Sequence, residues 1–555
     1  MKTKHIALLV AAGLTLASCT LSIDFPTGFS SSQSSSSASA STSSISHSSS
    51  TKPSSSSSSS QSSATSSPSG LERTELRQHY ADYMENNIYN LDSAPTEGQC
   101  RLLVIPVWFE DSDQYIEESK KENVREDIEA AYFGDEGLVG WHSVKTFYET
   151  ESNEALEISG TVSEWYEVGQ DVSYYGSSSQ GASRTASLAV SAKDWFFNTH
   201  VDEDPRDYDG DGDGYIDGVM LIYAAPDYNT LQKSSYSNLW AYCYWVQQTS
   251  QRNVKKPGTN AFFWASYDFL YGQTTALSRA GTHYAAGDTR HCDIDAHTFI
   301  HEMGHVFGLE DYYDYGPKGY SPAASFSMQD HNVGGHDPYS TMALGWSDPY
   351  IPTESCQITI GAFQETHELI LLTPEWNEYD SPFDEYLLLE LYTPTGLNEL
   401  DTKYTYMSHY PTGVSATGIR LWHIDARLLY LESDQAYKES RMTCDTNYNS
   451  YYGVTHAFTN TAGNEDYGSP LGSDYDKYNL LQLVRNDTSV TMQTNRALRN
   501  ADLFGNGSSF DINTYKKQFV KSTALNNGEE LGWSFSVSIS GAGANAKATI
   551  DLVRE

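Results

Sequence analysis

His301-Glu302-Met303-Gly304-His305 is the segment that leaves this chain the least freedom. Two imidazoles four residues apart share a face on an α-helix, so this spacing predicts a helix on which His301 and His305 hold one ion. Glu302 stands beside them, placed to act on a water. The bare five-residue pattern arises by chance. Its continuation, Val306-Phe307-Gly308-Leu309-Glu310-Asp311, makes it specific. Gly308 can take the positive φ that ends a helix and turns the chain back. Asp311 can then return a carboxylate to the ion. Two imidazoles, one carboxylate and an open fourth position make the donor set of a catalytic zinc site. Glu310 and Asp314 are the alternative third ligands. A plan with a ligand Glu on a later helix is disfavoured, because the next Glu after Glu310 is Glu354. The competing reading is a helix whose two histidines are merely solvated or capping, and the Gly and Asp offsets argue against it. His297 lies one turn before His301 on the same face. It stands about 12 Å along the axis from His305, too far for one ion to reach both easily. His297 is therefore read as a structural or supporting residue.

A second acidic pattern precedes this one. Asp207 to Asp217 packs five aspartates into eleven positions. With Asp209, Asp211, Asp213, the Tyr215 carbonyl and Asp217 as donors and Gly214 at the turn, it matches the first nine positions of a calcium loop. Position twelve would be Met220 rather than a bidentate Glu, so another group or water must complete the shell. Five carboxylates this close repel one another without a cation. A solvated acidic turn is the plainer alternative.

The ends of the chain are read from composition. Lys2 and Lys4 precede an apolar run, Ile6 to Leu16, that is too short to span a bilayer. Leu16-Ala17-Ser18-Cys19 then places small residues before a cysteine, the pattern of a bacterial lipoprotein signal that leaves Cys19 as the lipidated N-terminus. From Pro26 to Leu71 there is no Asp or Glu and Ser dominates, so this stretch should be disordered. About 40 such residues have a reach of roughly 35 Å, suited to a tether. No later apolar run reaches 18 residues, so no second span is expected. Acidic residues outnumber basic ones 73 to 34, for a formal charge of −39, which repels phosphate backbones and argues against a nucleic-acid partner. After Cys19 the cysteines are Cys100, Cys243, Cys292, Cys356 and Cys444, an odd set without CxxC spacing, so no disulfide-dependent fold is expected.

About 485 residues remain for folded domains. Arg101 to Phe109 and Gly218 to Ala225 read as buried strands, and Leu156 to Val168 as an alternating strand. Tyr115 to Tyr132, Ala182 to Thr199 and Ile294 to Leu309 read as helices. Alternating strands and helices indicate a mixed α/β (α+β) domain over 71–349. After Pro349 short strand-like runs separated by Gly, Pro, Asn and Asp predict a β-rich, sandwich-like region over 350–555. Residues 1–18 are the signal and 19–70 the linker. Trp240, Trp245 and Trp264 lie in tyrosine-rich strings and are read first as packing, second as a cleft lining. His423 in GIRLWHID is read as structural.

The string HTFIHEMGHVFGLEDYYDY resembles the immune-inhibitor-A-type bacterial secreted metallopeptidases, a metzincin-like family with an HExxHxxGxxD layout. RLLVIPVWFEDS, SVKTFYETESNEALEISGTVSEWYEV, DGDGDGYIDGVMLIYA, MALGW and GIRLWHID resemble it too, so the likeness runs from about residue 100 to 510. The resemblance implies a zinc endopeptidase with a zincin-type catalytic domain, a calcium site and a following β-rich domain. It implies zinc on His301, His305 and Asp311, with Glu302 as base. It also implies a Met-containing turn under the zinc, for which Met328 is the candidate. Many relatives carry a Tyr where this chain has His331, so His331 and His336 become candidates for supporting the transition state, each also readable as a surface or structural histidine. Only Leu71 to Gln99 is available for an inhibitory pro-segment.

The expected function is a zinc endopeptidase tethered through Cys19 to the outer face of the bacterial cell membrane, acting on extracellular proteins or peptides. The alternative is a non-catalytic, calcium-dependent adhesin or glycan binder on the same scaffold, against which the intact motif stands. Hydrolysis of a wall or glycan amide by the same chemistry is a third, weaker expectation.

Overall fold

In a computed structural model the described residues are 70–81, 92–135, 139, 141–271, 294–313, 322–377, 379–403, 410–431, 442–444, 455–457, 479–492 and 494–555. The signal segment with Cys19, the Ser-rich linker, Cys292 and Asp314 lie outside them. Side chains are described for neither 428–431, 442–444 nor 455–457, which takes in Cys444.

The first sheet is built on β1 (Gly98–Trp108). From Leu102 to Trp108 it is an unbroken apolar run because both of its faces are covered there. Leu102 and Val104 enter one core, while Leu103, Ile105 and Val107 enter another. β2 (Leu156–Val162) and β3 (Tyr166–Glu167) lie parallel along one side of β1. On the other side follow β4 (Val219–Tyr223), β6 (Ala261–Ser266) and, at the edge, β5 (Tyr242–Trp245). β4 and β6 run parallel to β1, and β5 alone is antiparallel. The expected strand 156–168 is thus interrupted at Ser163 to Trp165. There Trp165 turns inward to meet Trp108 edge-on at 5.2 Å.

Helices cover the sheet. α1 (Lys121–Phe133) begins six residues later than its periodicity predicts. The preceding segment is drawn into turns instead: Ser112 Oγ accepts the Phe109 N–H, and Asp111 accepts the Val172 N–H. α2 (Val144–Glu151) opens with a capping box between Ser143 and Thr146. α3 (Gly181–Thr199) fills the predicted 182–199 span. α4 (His297–Val306) is shorter than the predicted 294–309. Asp295 accepts the His297 N–H and starts it. Gly308, at φ 103°, ends it, with the Leu309 N–H bonded to the Gly304 carbonyl and the Gly308 N–H to that of His305. α4 packs on β5 and β6, where Phe299 meets Phe263 at 5.7 Å and Tyr132 of α1 at 5.5 Å. The Tyr148 hydroxyl of α2 donates to the Ile300 carbonyl. α5 (Pro338–Ala343) follows, capped by Asp337.

Beyond it the described chain is mostly strands. β7 (Pro349–Tyr350), β9 (Leu369–Leu372), β10 (Glu385–Tyr392), β11 (Gly418–Asp425) and β15 (Leu481–Val484) form one sheet, ordered β15-β11-β10-β9-β7. β8 (Cys356–Gly361), β16 (Ser509–Asp511), β17 (Trp533–Ser540) and β18 (Lys547–Arg554) form a second, ordered β16-β17-β18-β8. β12 (Leu428–Leu431), β13 (Met442–Cys444) and β14 (Thr455–Ala457) make a third. Ile358, Phe535 and Ile550 of the second sheet share one apolar cluster with Ile370, Leu389 and Leu421 of the first. The change of pattern expected near residue 349 is not a break in packing. Tyr339 and Trp346 share a core with Leu388 and Trp422. Leu76 and Tyr80, from the segment before β1, belong to the same core. Trp245 and Trp264 are packed residues, as first read. Cys100, Cys243 and Cys356 are unbridged thiols.

One buried ion pair holds the β10–β11 seam. Arg420 Nε lies 2.7 Å from Glu390 Oε1, both side chains almost wholly buried, and Trp422 Nε1 donates to the same carboxylate. Removing the cation strands Glu390 in the core, at a cost of about 3–5 kcal/mol. Chemical denaturation should therefore show Arg420→Met strongly destabilised and the double variant Arg420→Met/Glu390→Gln restored by part of that amount. Equal stability of the single variant and the wild type would show that the pair does not hold the seam.

Candidate metal centre

The helix, the glycine turn and a later loop bring three donors to one point. His301 Nε2 lies 3.0 Å and His305 Nε2 3.2 Å from Asp311 Oδ1. One donor atom from each of the three residues falls within 4.8 Å of the others. The outer nitrogens are occupied by backbone: His301 Nδ1 faces the Met328 carbonyl at 2.8 Å, and His305 Nδ1 faces the Leu309 carbonyl at 2.7 Å. A carbonyl can only accept, so both Nδ1 atoms carry the proton and both Nε2 atoms keep their lone pair for an ion. Met328, the Met-turn candidate, thus holds His301 through its backbone while its own side chain is buried. Gly304 lets that turn approach, since a Cβ there would sit 2.4 Å from Gln329 Oε1.

The electrostatics match this geometry. Burial would raise the Asp311 carboxyl, but the two histidines outweigh it and hold the carboxyl well below the usual carboxylate range. Burial lowers His305, and Asp311 overrides that, lifting the imidazole to about 10. Glu302 lies fully buried beside the triad. Burial lifts its carboxyl to about 7 against the pull of His305 and His301, with Asp311 adding to the rise. The Cys243 N–H on β5 faces the Glu302 carboxyl and opposes the rise, but neither Glu302 oxygen nor His305 Nε2 has a partner at full hydrogen-bonding geometry. Buried polar atoms are rarely left so. Orphaned atoms around two imidazoles and a carboxylate are what a bound metal and its water would satisfy, and the donor set suits zinc.

Among the other candidates, Glu310 is half-buried and outside the triad, and Asp314 lies outside the described residues. His297 also stands apart from the metal donors, its Nε2 2.7 Å from the Asn332 carbonyl. His331 lines the pocket over Glu302 and His301. Its Nδ1 lies 2.8 Å from Asp330 Oδ1. Burial lowers this imidazole, but the hydrogen bond and charge of Asp330 outweigh it and the net shift is upward. His336 does not line the pocket. It is fully buried against the rings of Phe147 and Tyr148, its backbone N–H donates to Glu151, and burial pulls its ring down to about 3. The pocket has a volume of about 30 Å³, room for one or two waters. Trp240, Phe269, Tyr313 and Tyr410 wall it. Tyr410 packs edge-on to His297 at 5.5 Å. It lies a hundred residues beyond the motif, and no local pattern points to it.

The acidic loop gathers part of its expected set. Asp209, Asp211 and Asp213 converge. Burial, then the neighbouring aspartates, raise the Asp213 carboxyl to about 7, with the Tyr215 N–H opposing. Asp217 stands outside this group, and its carboxylate accepts the N–H groups of Gly210 at 2.8 Å and Arg101 at 2.7 Å. Tyr215 forms a backbone bridge with Gly258. Asp92 is a carboxylate that spacing did not show: burial and then the charges of Asp213 and Asp211 raise it.

A buried His-His-Asp cluster with a Glu beside it, on a helix under a mixed sheet, defines a zincin-like metallopeptidase site. Residues 99–330 match the family described as immune inhibitor A peptidase M6, catalytic domain. Pre-pro-metalloprotease PrtV of Vibrio cholerae serotype O1, in two strains, is 28% identical over 205 residues, which is 33% of this chain. The match spans 20% of those relatives' own length. It leaves Tyr410 and the β-rich sheets outside the family match.

If Asp311 is the third ligand, removing it leaves two, too few for a stable catalytic site. Metal analysis after dialysis, with calcium kept present, should find Asp311→Ala depleted of zinc and Glu310→Ala and Asp314→Ala still loaded. Full zinc in Asp311→Ala would move the ligand elsewhere.

Proposed function

We propose that this chain is a zinc endopeptidase that cleaves extracellular proteins or peptides while tethered to the outer face of a bacterial membrane. The observation that carries the reading is Glu302: a buried carboxyl near neutrality beside a three-donor metal set. His301, His305 and Asp311 would hold a zinc ion, which would supply Lewis-acid polarisation and a water made nucleophilic near neutral pH. Glu302 takes the proton of the attacking water and returns it to the departing amine, roles that suit a group whose pKa lies near 7. Asp330 occupies His331 Nδ1, so Nε2 is the atom His331 offers to the charge that develops on the peptide carbonyl oxygen. Tyr410 walls the same pocket. β5 is an antiparallel edge strand over α4, where an extended peptide can add as a further strand.

The finer parts of this reading rest on sequence and on local geometry. The two β-sheets beyond residue 349 with their common apolar cluster read as a sandwich. The Asp209, Asp211 and Asp213 carboxylates, the last raised by burial and then by the charges of the other two, read as a calcium loop, with Asp217 bracing it from behind. The Leu16 to Cys19 signal and the Ser-rich linker read as the anchor.

Glu302→Gln keeps the ligands and should keep zinc, yet lose about 10²–10⁴-fold in turnover of casein or gelatin. Near-normal turnover in this variant, or wild-type activity that survives a chelator, refutes the zinc-protease reading. Cys19→Ala should move the protein from the membrane fraction to the soluble one with catalysis intact, because stable anchoring rests on the lipid chains of that cysteine. Retention of the variant in the membrane fraction refutes the anchor.

A further inference from the structure

β4 and β6 are adjacent parallel strands, with Tyr223 beside Ser266 at their carboxyl ends. Chains leaving such ends open a crevice, the usual place for a ligand in an α/β sheet. Here the two exits carry Asp227 and Asp268, 0% and 1% exposed. They are neither in the metal triad nor in the Asp209–Asp213 group. The Asp227 N–H donates to Asp268 Oδ2 at 3.3 Å, so the two carboxyls adjoin. Asp227 Oδ1 accepts the N–H groups of Asn229 at 2.7 Å and Thr230 at 3.4 Å. Asp227 Oδ2 accepts the Thr230 hydroxyl at 2.7 Å. Neither carboxyl is in an ion pair with Lys or Arg among the described residues. Burial raises the pKa of both, and the charge of Asp227 adds to the rise at Asp268.

Two atoms at this place are left over. Asp268 Oδ1 is buried and accepts nothing, and the Tyr223 hydroxyl, on a side chain with no exposure, is also without a partner. Tyr223 ends β4 beside Ser266, two residues before Asp268, and burial first, then the charges of Asp227 and Asp268, oppose its ionisation. A donor and an acceptor buried together but not bonded to each other leave a gap that something else must satisfy. The candidate donors among the described residues are the Asp227 and Asp268 carboxylates and the Thr230 and Tyr223 hydroxyls. Such a set suits a hard cation and not zinc. Two carboxylates also neutralise a divalent ion.

We propose that Asp227 and Asp268 hold a calcium ion at the exits of β4 and β6, with the Thr230 and Tyr223 hydroxyls at its edge. The ion ties together the two segments that wall the metallopeptidase pocket. Tyr228, one residue after Asp227, packs on Trp240 at 5.3 Å. Phe269, one residue after Asp268, meets Trp240 at 6.1 Å. Trp240 and Phe269 both line the pocket. The site depends on neither the protease reading nor the acidic loop.

The test is calcium chloride titrated calorimetrically into chelator-stripped, zinc-reloaded protein, using the wild type, Asp268→Asn, Asp211→Asn and the double variant. Asp268→Asn should bind one calcium equivalent fewer than the wild type, and the double variant no more than Asp268→Asn. An unchanged stoichiometry in Asp268→Asn overturns the proposal. Thermal melting guards against a misfolded variant. In chelator, Asp268→Asn should melt at or above the wild type, because a buried repulsion is gone, and calcium should raise its melting point less than it raises that of the wild type. Equal calcium responses would mean that the two carboxyls share a proton, or that a water fills the gap, and the proposal falls.

Discussion

A single carboxylate oxygen, Asp311 Oδ1, sits between two imidazole nitrogens at 3.0 and 3.2 Å in a region closed to solvent. Much of the surrounding structure serves to make that meeting stable. A buried carboxylate is costly unless it is paired, and a buried imidazole reaches the wrong atom unless its ring is fixed. The Met328 and Leu309 carbonyls fix the two rings by accepting from Nδ1. The first of these comes from a loop that can approach only because position 304 lacks a side chain. The second comes from the turn that Gly308 makes at the helix end. Remove either support and the ring is free to rotate, so the geometry of the donors is a property of the turn and the loop as much as of the helix.

Glu302 follows from the same arrangement. It is next to His301 on the helix, so it cannot avoid the site, and the sheet above seals it from water. Burial lifts its carboxyl towards neutrality while the adjacent imidazoles pull it back. The balance leaves a group able to exchange a proton near pH 7. The lining of the pocket comes from distant parts of the chain: Trp240 before β5, Phe269 after β6, His331 from the loop under the helix and Tyr410 from the segment before β11.

What could be read beforehand and what could not divides along the same line. His301, Glu302, His305, Gly308 and Asp311 fall within eleven residues, and one helix and one turn fix their relation, so spacing sufficed. β1 was legible because a strand buried on both faces must be apolar at every position. The helix limits were misjudged where side chains cap the backbone: Asp295 starts α4 late, and Ser112 diverts the chain before α1 into turns. Asp217 fits a calcium register by spacing, and its carboxylate accepts the N–H groups of Gly210 in the loop and Arg101 on β1. The Arg101 contact is one that no count along the chain shows. Asp330 stood next to His331 and could have been flagged as its holder. Asp92, Tyr410 and the Asp227–Asp268 pair could not, because each owes its neighbours to strand order and packing.

The apolar core carries the same lesson further. Tyr339 and Trp346, which follow the family-matched segment, pack with Leu388 and Trp422 of the β-rich sheets, and Tyr80 from before β1 joins them. Tyr80 and Tyr339 meet hydroxyl to hydroxyl at 2.9 Å, while Tyr80 lies edge-on to Phe383 at 5.5 Å. Segments more than 300 residues apart therefore share one buried layer directly behind the helix that carries His301 and His305. A core of that kind resists partial opening, since exposing one segment uncovers the others. Tyr410 enters the pocket from the far side of this layer and meets His297 on α4 itself. The β-rich half is thus part of the wall of the candidate metal centre as well as of its foundation, and the segment that matches the peptidase family is packed against chain that lies beyond that match.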